Sequence, residues 1–402
     1  MLMLGWELPP HNSGGLGVAC YQLCQALGSR DDVDLEFILP YEADHENVDF
    51  MKVTAARPVG VNEIIKTSGA YDSYKYRYDD GHEEWHDIYT QQAMYEQSVA
   101  RLAFTKEFDV VHAHDWLTFR GALRLKEATG CPIVLHVHSV ESDRAGGGRG
   151  NPLVHQIEQE ALQVADQVVA VSELTKQAII RDYDVPAEQI SVVHNSLDHG
   201  SMAPLSPRNS YEYLTQLKQQ GYKVVTNVGR LTMQKGITNL LRAAQEVVAR
   251  APKTMFLIVG NGDQYHELIE LSASLGIGRN VLFADFQRGK KWRDAFAIAD
   301  LFVMPSVSEP FGLTPLEATA YGAPTLVTRQ SGVSEVLKNC LKVDFWDTQE
   351  MANQILAVVQ HDSLRRELTA GAYRELKSLS WAKPAERINE IYQRFSIAGA
   401  SV

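Results

Sequence analysis

Two glutamates, Glu309 and Glu317, stand eight positions apart in the stretch EPFGLTPLEA. Both carboxylates can work on one ligand, or one of them can do no more than start a helix. Thr314, Pro315 and Glu317 have the N-cap, N1 and N3 spacing of a capping box, so Glu317 has a structural use whether or not a ligand is present. Glu309 falls in the loop after the apolar run LFVMPS, beside a proline, where no cap accounts for it. On this reading Glu309→Ala should fold with a near-native melting temperature. The backbone N–H groups of Phe311, Gly312, Leu313 and Thr314 open the helix and favour an anion.

Three other stretches carry chemistry. NVGRLTMQKGI sets Arg230 and Lys235 just beyond a buried strand, where two cations bracketing one turn can clamp a diphosphate. The plainer alternative is that they cap carbonyls or stay solvated. NSGGLGVACYQLCQAL is a glycine-rich turn running into an amphipathic helix, with Gly15, Leu16 and Gly17 at the point where backbone can approach an anion. It has neither a Walker Gly-Lys-Ser/Thr nor a GxGxxG spacing. In DVVHAHD and CPIVLHVHS, alternation places His112 with His114, and His136 with His138, on one strand face each. A metal site from these four histidines is possible but lacks helical HExxH or cysteine partners, and no metal is expected. His138 at its strand end, followed by the glycine-rich 143–150, is the best placed to line a cleft. Asp32-Val33-Asp34 is a DxD triplet that precedes its strand instead of ending one, and reads as turn chemistry.

The elements that must position these residues are legible from periodicity. Non-alternating apolar runs such as DQVVAVS, KVVTNVGR, MFLIVGNG and APTLVT read as strands buried on both faces. Helix-length segments such as ITNLLRAAQEVVAR separate them, which implies a parallel α/β architecture. The Gly/Pro/Ser-rich LDHGSMAPLSPRNS before the strand at Lys223 marks a boundary. The expected organisation is two parallel α/β domains of similar size, 1–200 and from 201 on, with the cleft between them as the default ligand site. Residues 41–90 break the rhythm, and Tyr71, Tyr74, Tyr76, Tyr78 and Trp85 could stack on sugar faces or simply pin down the excursion.

At 402 residues, 45% hydrophobic and 22% charged, the chain is of globular composition. The net charge of −12 is uneven: residues 1–200 hold 15 Lys/Arg against 31 Asp/Glu, and 201–402 hold 23 against 19. The acidic half disfavours nucleic acid and anionic lipid surfaces, and the basic half suits an anionic small molecule. No apolar run reaches transmembrane length and the opening MLMLGWELPP lacks a basic n-region, so a cytoplasmic protein without a signal peptide is expected. Cys20, Cys24, Cys131 and Cys340 match no zinc spacing and read as reduced structural residues.

Taken together, EPFGLTPLEA, SGGLG, HAHDW, HVHS, VGRLTMQKG, VGNGD and the closing LSWAKPAERINEIYQRF resemble the retaining, nucleotide-sugar-dependent glycosyltransferases of the GT-B fold, family 4, the glycogen synthase-like group 1 enzymes. The motifs come in that family's order over nearly the whole chain. The resemblance implies that Arg230 and Lys235 bind the donor diphosphate, that Glu317 holds the donor ribose and that Glu309 meets the transferred sugar. It implies that the backbone at Phe311, Gly312, Leu313 and Thr314 meets sugar and phosphate, and that Gly15, Leu16 and Gly17 close over the donor. His138 would contact the sugar near the reacting carbon and Asp115 would lie toward the acceptor. The fold it implies is two Rossmann-like domains facing a cleft, 1–200 and 201–380, with 381–402 as a closing helix that crosses back to the first domain. Asn12 and Ser13 stand where glycogen synthases carry a lysine, which points away from a starch- or glycogen-synthase identity.

The expectation is thus a metal-independent hexosyltransferase without cofactor. It moves a hexose, glucose first among the candidates, from a nucleotide diphosphate sugar to a soluble carbohydrate acceptor with retention of configuration. Two other readings stand beside it: a nucleotide-sugar epimerase on the same scaffold, which needs no acceptor, and a non-catalytic two-lobed ligand-binding protein.

Overall fold

The computed structural model of the chain describes residues 1–12, 14–45, 48–66 and 72–399, and the side chains of all of these but 201 and 396–399. Its strands, in chain order, are β1 Leu2–Leu4, β2 Glu36–Leu39, β3 Lys52–Ala55, β4 Val61–Ile65, β5 Tyr74–Tyr78, β6 Glu83–His86, β7 Val111–His114, β8 Ile133–Val137, β9 Gln167–Ala170 and β10 Ile190–Val192. They continue with β11 Lys223–Val228, β12 Thr254–Val259, β13 Val281–Phe283, β14 Leu301–Met304, β15 Thr325–Thr328 and β16 Leu341–Val343.

Chain contacts divide the protein into two compact units. The first comprises Met1–Glu141, Gly150–Ser196 and Trp381–Val402; the second comprises Ser142–Arg149 and Leu197–Ser380. The segment Ser142–Arg149, placed with residues 1–200 by sequence, thus belongs to the second unit, where Ser308 Oγ donates to Asp143 Oδ1 at 2.5 Å.

The first unit holds a seven-stranded sheet in the order β10-β9-β8-β7-β1-β2-β3, parallel throughout. The second holds a six-stranded parallel sheet in the order β13-β12-β11-β14-β15-β16. Strands β7, β8, β9, β12, β14 and β15 are buried along their whole length, as their Val/Ile/Leu-rich runs require. Helix Ile237–Arg250 buries Ile237, Leu240, Leu241, Ala244 and Val247, the apolar stripe of a helix lying on a sheet. In each sheet the strand order reverses direction once. The reversal falls between β1 and β7 in the first and between β11 and β14 in the second, and the crevice beyond the carboxyl ends at such a point is where open α/β sheets bind ligands.

The closing helix Ala382–Gly399 belongs to the first unit and packs against helix Gly15–Gly28, burying Ala385, Ile388, Ile391 and Tyr392. The Tyr-rich excursion is a separate antiparallel sheet, β4-β5-β6. Tyr74 and Tyr76 are fully buried in it, and Tyr74 meets Tyr41 edge-on at 6.4 Å. These two aromatics pin the excursion down and are not open to sugars, whereas Trp85 is 58% exposed. Tyr71 lies outside the described residues. The DxD triplet is likewise occupied by the fold: Asp32 accepts from Arg30 at 2.9 Å and from Asn389 Nδ2 at 2.9 Å.

Candidate active site

The second sheet gathers most of the candidate residues at its switch point. Beyond β11 the chain runs through Gly229 and Arg230 into the turn Met233–Lys235 and then helix Ile237–Arg250. Gly236 joins them at φ +66°, and a Cβ there would lie 2.1 Å from the carbonyl oxygen of Pro305, so only glycine lets this turn pass beneath the loop after β14. That close passage is stitched by Val307 N donating to the Gln234 carbonyl at 2.8 Å. It carries Lys235 to Glu309, and the ammonium meets the carboxylate at 2.5 Å. Ser306 Oγ donates to the same oxygen at 3.1 Å.

Glu309 is therefore not an unattached loop residue. It is 9% exposed, and its backbone forms a bridge with Ser331: Glu309 N donates to Gln330 O and Gly332 N donates to Glu309 O, both at 2.9 Å. The two fixed ends and the ion pair hold one carboxylate in one place. Arg230, by contrast, is exposed and makes no ion pair or hydrogen bond with the described residues. A guanidinium and an ammonium thus stand near one turn, one unengaged and one with further N–H donors to give.

The helix after β14 starts one residue earlier than sequence spacing implies. It runs Thr314–Ala320 with Leu313 at its N-cap, and no side chain caps it. Thr314 Oγ1 points instead toward Met304 Sδ, 3.7 Å away. No capping box forms, so Glu317 has lost its structural explanation. Its carboxylate has no hydrogen-bond or ion-pair partner among the described residues, and burial pushes its pKa up to about 8. Gly312, Leu313 and Thr314 present backbone N–H groups for which the described residues supply no acceptor. An unpartnered carboxylate and unpartnered amides at one helix start suit a ligand with hydroxyl donors at one end and an anion at the other.

The Glu317 environment has a consequence for stability. Its folded pKa lies above the unfolded value of about 4.3, so the folded chain holds the proton more tightly. The stabilising contribution is fully present below the unfolded value and is lost as pH rises through about 8. Glu317→Gln is neutral at every pH. Thermal melts from pH 5 to pH 9 should therefore show the wild type losing ground to the variant, by at most about 1.4 kcal/mol per pH unit. A constant difference between the two across that range would refute the shifted pKa.

The first sheet supplies histidines. The β7–β8 register sets His114 opposite His136, so all four rings lie together. His114 Nδ1 and His138 Nε2 are 2.9 Å apart, and His112 Nε2 and His136 Nδ1 are 3.1 Å apart. His112 Nδ1 is 2.5 Å from the Tyr392 hydroxyl, which ties the closing helix to this sheet. Burial holds His112, His114 and His136 well below the usual imidazole range and takes His138 down to about 3, so the cluster is neutral at physiological pH. His138 reaches the surface in part, while the other three rings are enclosed.

Asp115 is 5% exposed and sits at φ +59°, with its Oδ1 accepting from His138 N at 2.7 Å and Ser139 N at 3.3 Å. It ties the end of β7 to the end of β8 and so fixes the backbone that carries His138. Gly15 and Leu16, at the start of helix Gly15–Gly28, are accessible. Gly17 is buried, and a Cβ there would come within 2.7 Å of the Asn12 side chain, so its lack of a side chain serves the loop's own packing. Ser13 lies outside the described residues.

Sequence reasoning passed over Ser306 and Glu7. Ser306 precedes Glu309 by one turn, but nothing in its context marks it as a carboxylate's donor. Glu7, 3% exposed beyond β1, is ion-paired to Lys66 at 2.9 Å, a contact across 59 positions that no local pattern announces.

Comparison with known proteins agrees with this layout. Residues 215–375 match the family description "Glycosyl transferases group 1", and residues 13–200 match "Glycosyltransferase Family 4". An uncharacterized glycosyltransferase of Methanocaldococcus jannaschii is 29% identical over 345 residues, covering 84% of this chain and 82% of its own. The D-inositol 3-phosphate glycosyltransferase of Rhodococcus erythropolis is 30% identical over 305 residues, covering 72% and 69%. Among solved structures, sucrose-phosphate synthase from Thermosynechococcus elongatus superposes with a TM-score of 0.76 at 18% identity over 99% of both chains. Anabaena HepE, solved with UDP and glucose, does so at 0.72 and 19% over 98% of this chain and all of its own. The expected fold of two Rossmann-like domains is thus that of GT-B structures. No helix among the described residues is long and apolar enough to cross a membrane. The chain belongs to the group 1, family 4 glycosyltransferases and is a transferase enzyme.

Proposed function

We propose that this enzyme moves a hexose, glucose first among the candidates, from a nucleotide diphosphate sugar to a soluble, uncharged carbohydrate acceptor. Configuration is retained and neither metal nor cofactor takes part. The observation that carries the reading is the constellation beyond β11 and β14: an unengaged Arg230, Lys235 held on Glu309, and Glu317 with no partner. Arg230 and Lys235 bind the diphosphate and neutralise it as it leaves, which is the charge a metal would otherwise supply. Glu317 accepts hydrogen bonds from the ribose hydroxyls, and Glu309 meets the sugar. The amides of Gly312, Leu313 and Thr314 complete the anion contacts.

His138 acts as a neutral hydrogen-bonding group near the reacting carbon, since its burial denies it a charge. The bond between the sugar's anomeric carbon and the diphosphate oxygen breaks with its electron pair staying on phosphate. The acceptor oxygen bonds to the same face of that carbon, and its proton passes to the departing phosphate oxygen. Front-face attack of this kind needs no enzyme nucleophile.

The acceptor reading rests on charge. A pocket of about 350 Å³ in the first unit is lined by Tyr41, Glu42, Asp44, Arg57, Asn62 and Glu63 among others. Its one guanidinium is already bonded to Glu42. D-inositol 3-phosphate, the compound after which several relatives are named, is anionic, and an anionic group would be repelled from such a lining.

Incubation with a nucleotide sugar and a neutral sugar acceptor, with excess EDTA present, should yield glycosylated acceptor and free nucleoside diphosphate in equal amounts. Isomerised donor without transfer would establish the epimerase instead. Loss of activity on chelation, restored by Mg²⁺ or Mn²⁺, would overturn metal independence.

A further inference from the structure

Beneath His138 lie two donor side chains, Cys20 and His114, that sugar transfer does not use. Cys20, on the buried face of helix Gly15–Gly28, joins His114 and His138 so that one ligand atom from each lies within 4.8 Å of the others. His114 Nδ1 and His138 Nε2 are already 2.9 Å apart. Two nitrogens bound to one tetrahedral zinc at about 2.0–2.1 Å sit about 3.3 Å apart, so the pair needs little adjustment. The Cys20 thiol is free, 2% exposed, and has no hydrogen-bond partner among the described residues. His114 Nε2 is buried without a partner as well, so the shared proton has a second nitrogen on that ring that nothing else occupies.

The chemistry of the set is selective. One thiolate and two imidazoles suit zinc and its soft neighbours, and offer nothing to magnesium or calcium, which prefer oxygen. His138 reaches the surface in part, which gives an ion a way in. The other three-histidine set, His112, His114 and His136, is enclosed on all sides and has His112 held by Tyr392.

We propose that Cys20, His114 and His138 form a binding site for a thiophilic divalent metal ion, zinc foremost, and that filling it inhibits sugar transfer by engaging the His138 imidazole that otherwise meets the donor. The inhibition rests on the role given to His138 above; the binding does not. A cysteine thiol carries its proton at neutral pH and gives it up on binding a metal. Binding therefore forms a sulfur–metal bond and releases one proton to solvent. The proton shared by the two rings moves to the far nitrogen of the ring that donates it, and stays on the protein.

Cobalt(II) is the probe. Titrated into the chelator-stripped full chain, it should raise a thiolate-to-cobalt charge-transfer band in the near ultraviolet, bleached by one equivalent of zinc, with one proton released per ion. Micromolar zinc should suppress transfer. Cys20→Ala should keep its circular dichroism spectrum and its basal transfer rate, lose the band, and need more than roughly 10–100-fold higher zinc for the same inhibition. Cys20→Ser serves the same purpose should alanine destabilise the helix. No band in the wild type, or a band that survives both substitutions, overturns the site. A band with undiminished transfer overturns the inhibition. Metal-free protein with no transferase activity would count against the function proposed above, while the cobalt spectrum would still decide the site.

Discussion

Glu309→Ala should lower kcat for sugar transfer by on the order of a hundredfold or more, while nucleoside diphosphate still binds. Three separate constraints fix this carboxylate: the Lys235 ammonium, the Ser306 hydroxyl and a backbone bridge to Ser331. A group so held needs no reorganisation when charge develops at the sugar, and that is what makes a preorganised group costly to lose in the transition state. The same constraints revise the stability expectation. A near-native melting temperature holds only for an unattached loop residue. With a hydrogen-bonded ion pair in place, removing one partner should cost on the order of 1.5–3 kcal/mol. Glu309→Gln separates the two effects, since it keeps a hydrogen-bond acceptor for Ser306 and loses the charge. Thermal melts, nucleotide titration and a transfer assay on both variants give the comparison. Full activity in the folded fraction of Glu309→Ala would refute the role.

Arg230→Ala and Lys235→Ala should each weaken nucleoside diphosphate binding by about 1.5–3 kcal/mol, roughly ten- to a hundredfold, and leave binding of the free nucleoside nearly unchanged. The two should differ in stability. Arg230 is exposed and unengaged, so its loss should leave the melting temperature where it is. Lys235 balances a largely buried carboxylate, so its loss strands Glu309 and should lower it. Calorimetric titration with nucleoside and nucleoside diphosphate checks the first point and thermal melts the second. Equal diphosphate affinity in both variants and the wild type would eliminate the clamp.

What the sequence made legible follows the range of the interactions involved. Non-alternating apolar runs marked β7, β8, β11, β12, β14 and β15 because burial on both faces is a local property of a strand. The α/β class and the positions of Arg230, Lys235, Glu309 and Glu317 at strand ends followed from the same runs. Contacts between distant segments did not. The Lys235–Glu309 pair spans 74 positions and depends on Gly236 passing under Pro305. Alternation placed His112 with His114 and His136 with His138, but only the β7–β8 register joins the two pairs, and only the closing helix brings Tyr392 to them. The capping-box spacing at Thr314 and Glu317 failed by one residue. The helix takes Leu313 as its N-cap, and propensity alone cannot tell a cap from the first helical residue. Tyr74 and Tyr76 show the same limit, for aromatic density in sequence does not say whether the rings face a ligand or a core.

Proton NMR of the reaction mixture tests the central claim most directly. With an α-linked nucleotide sugar and a neutral sugar acceptor, the enzyme should build an α-linked product while free nucleoside diphosphate accumulates in step. The small anomeric coupling of the new signal, read before any mutarotation, identifies that linkage. A β-linked product would contradict front-face retention, and an unchanged acceptor beside a consumed or isomerised donor would contradict transfer itself.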